Sequence, residues 1–222
     1  MDKAKSQSQA TPQHRILDAA LYVFRRHGFR RSSIEQAAEA AGLTRQALYH
    51  HFSSKQALFR AVLERLFEDA LAAEIAAARA SEDNGGSLAD IVVAEIEARL
   101  RPLIASFDGS PHIEELFSEH LTQAKDIYQP YATRYAEQLT STIARVCRNQ
   151  KLALKKGVSA RKLSRMVEMA VHGTKSAYPA MLPADAFFKQ LEVMLRMLIA
   201  GAIASPARLP AKTSRRKTET RK

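Results

Sequence analysis

The sequence predicts an all-α protein in which a small N-terminal helix-turn-helix unit is joined to a larger helical domain. Three observations predict it. Apolar residues recur at helical spacing through most of the chain and nowhere alternate as a strand would. Residues 31–59, RSSIEQAAEAAGLTRQALYHHFSSKQALF, set caps, a glycine and apolar anchors where two short helices and the start of a third need them. Positive charge gathers at the two ends: residues 1–60 carry a net +6 and residues 207–222 a net +6, while residues 61–206 sum to −1.

Taken in order, Thr11 and Pro12 open a first helix whose buried face is Ile16, Leu17, Ala20, Leu21, Val23 and Phe24, and Gly28 ends it. Ser32 and Ser33 cap a second helix, with Glu35 and Gln36 each three residues on, where a capping box wants an acid or amide. Ala37, Ala38 and Ala41 keep that helix slim beside a neighbour. Gly42 stops it and Leu43 supplies the apolar contact of such an end. Thr44 caps a third helix, 45–51, too short to stand alone in water and anchored by Leu48 and Phe52. Ser53, with Gln56 three positions later, opens a fourth helix running unbroken to about residue 80 through Leu58, Phe59, Val62, Leu66, Ala70 and Ala73, a rigid connector. Loops at 81–87 and 106–111 then alternate with helices near 88–105, 111–126, 130–152, 159–178 and 184–204, bounded by Pro130, by residues 155–159 and by Pro179 and Pro183. The implied organisation is a tail at 1–10, a reading head at 11–58, a larger domain at 59–205 and a basic tail at 206–222. Both tails should be unfolded, since they lack apolar residues at core spacing.

An alanine at 38, a glycine at 42 and an apolar residue at 48 meet the steric needs of two helices that cross closely. Arg45, Gln46 and Ala47 then stand at the N-terminal end of the second one, the end that meets base edges in the major groove. Arginine suits guanine, glutamine adenine, and an alanine methyl the thymine methyl. Ser33, Thr44, Tyr49, His50, His51 and Lys55 follow as donors to phosphates. Basic ends support a double-stranded DNA partner.

GLTRQALYHHFSSKQALF at 42–59, with RRHGFRRSSI at 25–34, resembles the tetracycline-repressor-like (TetR) family of transcriptional regulators. The resemblance covers about 50 residues; beyond them only length and helical character are similar. It implies a homodimeric, sequence-specific repressor on a pseudo-palindromic operator, released by a small and hydrophobic effector. Carried over to this sequence, base contacts fall on Arg45, Gln46 and Ala47, and backbone contacts on Ser33, Thr44, Tyr49, His50 and Lys55.

Elsewhere the last two helices carry more apolar residues than one face holds, so a second copy is expected against them. The expected interface is Met166, Ala170, Gly173, Ala177, Phe188, Leu191, Leu195, Leu198 and Ala202. Phe107, Phe117, His120, Leu121, Tyr128, Tyr131, Tyr135, Cys147 and Met166 are candidates to line an effector pocket. His112, Glu115 and Glu119 share a helical face that could hold a metal, but a solvated charged face is the expectation, and neither metal nor cofactor is implied. A lone Cys147, no apolar leader and no apolar run long enough to span a membrane point to a cytoplasmic protein. No phosphate loop, nucleophile elbow or metal-protease motif occurs, so catalysis is not expected. The alternatives are a helical DNA binder without effector and, more remotely, an all-α enzyme.

Overall fold

The computed structural model describes residues 12–204, and among them the chain forms nine α-helices, one 3-10 turn and no strand beyond an isolated bridge between Leu154 and Ile203. The predicted tails at 1–10 and 206–222 lie outside the described residues. The N-terminal unit predicted as a reading head comprises α1 (Pro12–Arg31), α2 (Ile34–Ala40), α3 (Arg45–His51) and the first turns of α4 (Lys55–Asp83). The larger domain adds α5 (Leu88–Phe107), α6 (Ile113–Gln123), α7 (Lys125–Asn149), α8 (Ala160–Ala177), the 3-10 turn Pro179–Met181 and α9 (Ala184–Ala202).

Two of the predicted boundaries move. The cap of α4 is Ser54, whose Oγ accepts from the Ala57 N–H at 3.0 Å, and not Ser53, so the Ser53/Gln56 pairing does not form. Pro130 does not open a helix: it sits inside α7, whose start is Lys125 after an uncapped Ala124. Proline there removes one early helical bond, and the adjoining turns carry α7 across it.

Gly28 interrupts α1 at φ 75° and ψ 167°, a conformation open to glycine almost alone. A Cβ on it would meet the Glu115 carboxylate at 2.6 Å. Beyond this break the last turn of α1 swings against α6. The Arg30 N–H donates to Glu115 at 2.8 Å and its Nε to Glu119 at 3.0 Å. Arg25 Nη2 donates to the Asp108 carbonyl at 2.6 Å, and Ser110 Oγ to the Arg25 carbonyl at 2.7 Å. Glu119 is buried, so the solvated acidic face expected at 112–120 is instead a clamp on the reading head.

The head's core is apolar but for Ser32 and centres on three phenylalanines: the Phe59 ring lies 5.1 Å from Phe24, edge on, and 4.8 Å from Phe29. The larger core joins α4, α5, α7, α8 and α9 through Ile91, Val92, Ile96, Leu139, Ile143, Leu163, Val167, Phe187, Leu191 and Leu195. No helix of the described residues is long and apolar enough to cross a membrane.

Candidate DNA-reading face and effector cavity

Each turn of the helix-turn-helix has a visible physical cause. Ser33 and Gln36 form a reciprocal capping box at the start of α2, Gln36 N–H to Ser33 Oγ at 3.2 Å and Ser33 N–H to Gln36 Oε1 at 2.8 Å. Ser32, the other capping candidate, is buried and donates its hydroxyl to the Gly28 carbonyl. At the far end Gly42, at φ 69°, donates to the Glu39 carbonyl at 3.0 Å and Leu43 to the Ala38 carbonyl at 2.8 Å, a Schellman ending. Thr44 Oγ1 accepts from the Ala47 N–H at 3.1 Å and starts α3, while Leu48 is fully buried and pins it.

These constraints turn one edge of α3 outward. Arg45, Gln46, Tyr49, His50 and His51 are exposed and Ala47 is half-buried at the N-terminal turn. Arg45 Nε lies 2.8 Å from Glu35 of α2, and its guanidinium sits 5.4 Å from the centre of the Tyr49 ring. The side chain is thus held over the outward face by two weak, solvent-exposed contacts. Lys55 departs from expectation. Its ammonium donates to the carbonyls of Ser32 at 2.8 Å and Arg30 at 3.0 Å, and stands 4.8 Å from the Phe29 ring. It neutralises the carbonyl end of α1 with two of its three N–H groups.

The larger domain holds a cavity of about 210 Å³ enclosed by α4, α5, α6, α7, α8 and the 3-10 turn. Of the expected lining residues, Phe117, Tyr128 and Tyr135 border it. Phe107 is buried behind Phe117, their rings 5.6 Å apart, and Tyr131 packs on the outer side of Phe67 at 5.3 Å. Cys147 lies against the main core and Met166 faces outward, both away from the cavity. The side chains of His120 and Leu121 lie outside the described residues.

Charge inside the cavity is the feature that periodicity did not disclose. Arg99 of α5 is 5% exposed, and it donates to both oxygens of Glu168 at 2.8 and 3.2 Å. Its Nε is 3.7 Å from Glu74, and its guanidinium lies over the Tyr135 ring at 4.9 Å. Glu74 is 1% exposed and its Oε1 has no hydrogen-bond partner. Burial pushes this carboxyl up to about 9, so it is protonated at neutral pH. Lys175 and His172 reach the same cavity from α8. Burial pushes the Lys175 ammonium down to about 8, with Arg99 nearby adding to the effect. Tyr135 donates its hydroxyl to the Phe67 carbonyl of α4 at 2.9 Å, fixing the cavity wall to the connector.

The expected partner-facing set on α8 and α9 is also divided by the structure. Phe188, Leu191, Leu195 and Ala202 are buried in the protomer's own core, as is Ala170, because α9 is wedged between α5 and α8. The apolar side chains left outside are Met166 and Met169 on α8 and Val193 and Met197 on α9, between 41% and 71% exposed. Gly173 stands beside them with open space where a Cβ would be.

A short capped helix presented beside its crossing partner, on a larger helical body that encloses a cavity, defines the class: a helix-turn-helix unit joined to a separate helical domain. Residues 16–62 match the family model described as bacterial regulatory proteins, tetR family. The AcrR transcriptional regulator of Shigella flexneri is 45% identical over 62 residues, 28% of either chain. UidR of Escherichia coli K12 is 38% identical over 72 residues, 32% of this chain and 36% of that one. The matched segment therefore spans about a third of these relatives' length. The fold extends much further. SmeT, the repressor of the Stenotrophomonas maltophilia multidrug efflux pump SmeDEF, superposes with TM-score 0.62 at 21% identity, covering 93% of this chain and 97% of its own. Thermus thermophilus FadR, a TetR-family transcriptional repressor in complex with lauroyl-CoA, does so with TM-score 0.54 at 21% identity over 89% and 98%. The likeness to TetR regulators read from residues 25–59 thus holds for the fold of nearly the whole chain.

Proposed function

We propose that this protein is a homodimeric transcriptional repressor that binds a pseudo-palindromic operator through α3 and leaves it when a small effector enters the cavity. The observation that carries the reading is the shared use of α4 and α6. One end of α4 supplies Leu58, Phe59, Val62 and Leu63 to the head's core, and further along it supplies Leu66, Phe67 and Ala70 to the cavity wall. On α6, Phe117 borders the cavity while Glu115 and Glu119 grip Arg30 of the head. Arg60 of α4 adds a bidentate pair to Asp126 at 2.6 and 2.7 Å. A displacement of α6 or α4 by an occupant is therefore passed to the head without a flexible joint between them.

In this reading Arg45, Gln46 and Ala47 meet base edges, and Ser33, Thr44, Tyr49, His50 and His51 meet phosphates. DNA takes Arg45 away from Glu35. A second copy covers Met166, Met169, Val193 and Met197 and packs closely at Gly173, and the dyad it creates sets two α3 helices one or more helical turns apart on DNA. Kinship with regulators favours this reading over an enzyme. Sedimentation at micromolar concentration tests the dimer: a mass twice that of the chain is expected, reduced to one chain by Met197→Glu, and a monomeric wild type contradicts the reading. For base reading, Arg45→Ala should weaken binding to the selected operator by roughly tenfold to a hundredfold and leave binding to random DNA nearly unchanged.

A further inference from the structure

The cavity's polar groups do not cancel. Arg99 and Glu168 neutralise each other through two hydrogen bonds. Glu74 lies against Arg99 outside the cavity lining, where burial favours its uncharged form, and desolvation also favours the neutral form of His172. Tyr128 and Tyr135 of α7 are phenols that burial keeps protonated. Ala180 and Met181 of the 3-10 turn bring no charge. What remains is the half-buried Lys175 ammonium, which borders the cavity, forms no hydrogen bond or ion pair among the described residues, and has Glu168 as the carboxylate that favours its charge. Half-buried at an otherwise mostly apolar wall, that ammonium has only the field of Glu168, itself bonded to Arg99, to offset its partial loss of water, and a cavity bordered by such a charge favours the opposite one.

We propose that the effector is a compact monoanion with an apolar body, an aromatic or short-chain carboxylate, whose carboxylate pairs with Lys175 while Phe67, Phe117, Tyr128 and Tyr135 enclose the rest. The proposal rests on the cavity being the effector site. Size agrees with it: about 210 Å³ is below the roughly 300–1,000 Å³ of drug-sized pockets. A cationic guest fits the same walls worse, because it meets Lys175 and Arg99 with one carboxylate in the lining, Glu168, already taken at both oxygens.

The test is calorimetric titration of the full-length protein with benzoate and octanoate, with benzamide and octanamide as neutral partners of the same shape and benzylamine as the cation. At least one carboxylate is expected to bind at least about tenfold more tightly than its amide. Lys175→Met should remove that margin while the amide, which reports that the cavity survives, binds as before, and Lys175→Arg should restore most of it. At pH 8 carboxylate binding should draw in part of a proton, since pairing stabilises the ammonium, and Lys175→Met should abolish this uptake. A carboxylate that binds no better than its amide, a margin untouched by Lys175→Met, or no carboxylate binding below about 1 mM overturns the proposal. Anisotropy of labelled operator separates the two layers. Release by the amides or by benzylamine alone leaves the cavity as effector site and discards the anion. Tight binding of a probe in the cavity with no effect on DNA discards the effector reading itself.

Discussion

In the reading head the buried side chains are apolar except for Ser32, and every charge stands on the surface or at a helix end; in the larger domain Glu74, Glu95 and Arg99 are inside the protein. Arg99 is answered by Glu168, Glu74 is half-answered, and both Glu95 oxygens lack a hydrogen-bond partner. A core of packed rings and aliphatic groups yields one rigid arrangement, which the proposed base-reading edge would need because its donors must match base edges closely. Buried ionisable groups lower stability but offer a ligand strong, directional contacts. In the proposed function the contrast separates a part that holds its shape from a part that responds.

The largest effect expected on the rigid side is that of Phe59→Ala. It removes the ring at the centre of the aromatic trio and should destabilise the protein by about 3–5 kcal/mol, read as a shift of the urea midpoint together with loss of operator binding. A smaller loss would mean that the head tolerates voids. On the responsive side Arg99→Ala should cost about 3 kcal/mol, since it strands Glu168 in the cavity wall. Arg99→Ala with Glu168→Gln should cost clearly less than Arg99→Ala alone.

pH sharpens the contrast further. The Glu74 carboxyl is raised to about 9 and the Glu95 carboxyl to about 7, both mainly by burial, from 4.5 in ordinary surroundings. The folded protein then holds more protons than the unfolded chain, so this contribution is complete below about pH 4.5. It declines as pH rises to about 7 for Glu95 and about 9 for Glu74. Thermal midpoints should show this decline superposed on other titrations, and Glu74→Gln with Glu95→Gln should flatten it. The smallest effect is that of Thr44→Ala, which deletes the α3 cap and should cost about 1 kcal/mol. Its mark should be faster amide exchange confined to α3.

The head was legible in the sequence because local chemistry specifies it. Ser33, Gln36, Gly42, Leu43, Thr44 and Leu48 each act within a few residues of their own position, and the structure uses them at the predicted places. Lys55 escaped because its partners, the carbonyls of Arg30 and Ser32, are supplied by the end of another helix. The cavity was only partly legible for the same reason at longer range. Tyr128 and Tyr135 are conspicuous as aromatic residues, whereas Arg99, Glu74 and Glu168 sit on three different helices and look like ordinary surface charges in a linear reading. One signal could have found them: Glu74 and Arg99 both fall on the apolar faces of their helices, among Ala70, Leu71 and Ala78 and among Ile96, Leu100 and Ile104. On α9, Phe188, Leu191 and Leu195 were apolar enough for either burial or a partner, and only the placement of α5 and α8 around them decides for burial.

The central claim, that a rigid head reads sequence through the first turn of α3, is tested most directly by selecting fragments from a random DNA library with the purified full-length protein, wild type and Arg45→Ala in parallel. The account predicts that wild type recovers a short pseudo-palindrome with half-sites one helical turn or a multiple apart, and that Arg45→Ala relaxes preference at one symmetric pair of positions only. Recovered fragments with no shared sequence, or a consensus unchanged by Arg45→Ala, would contradict it.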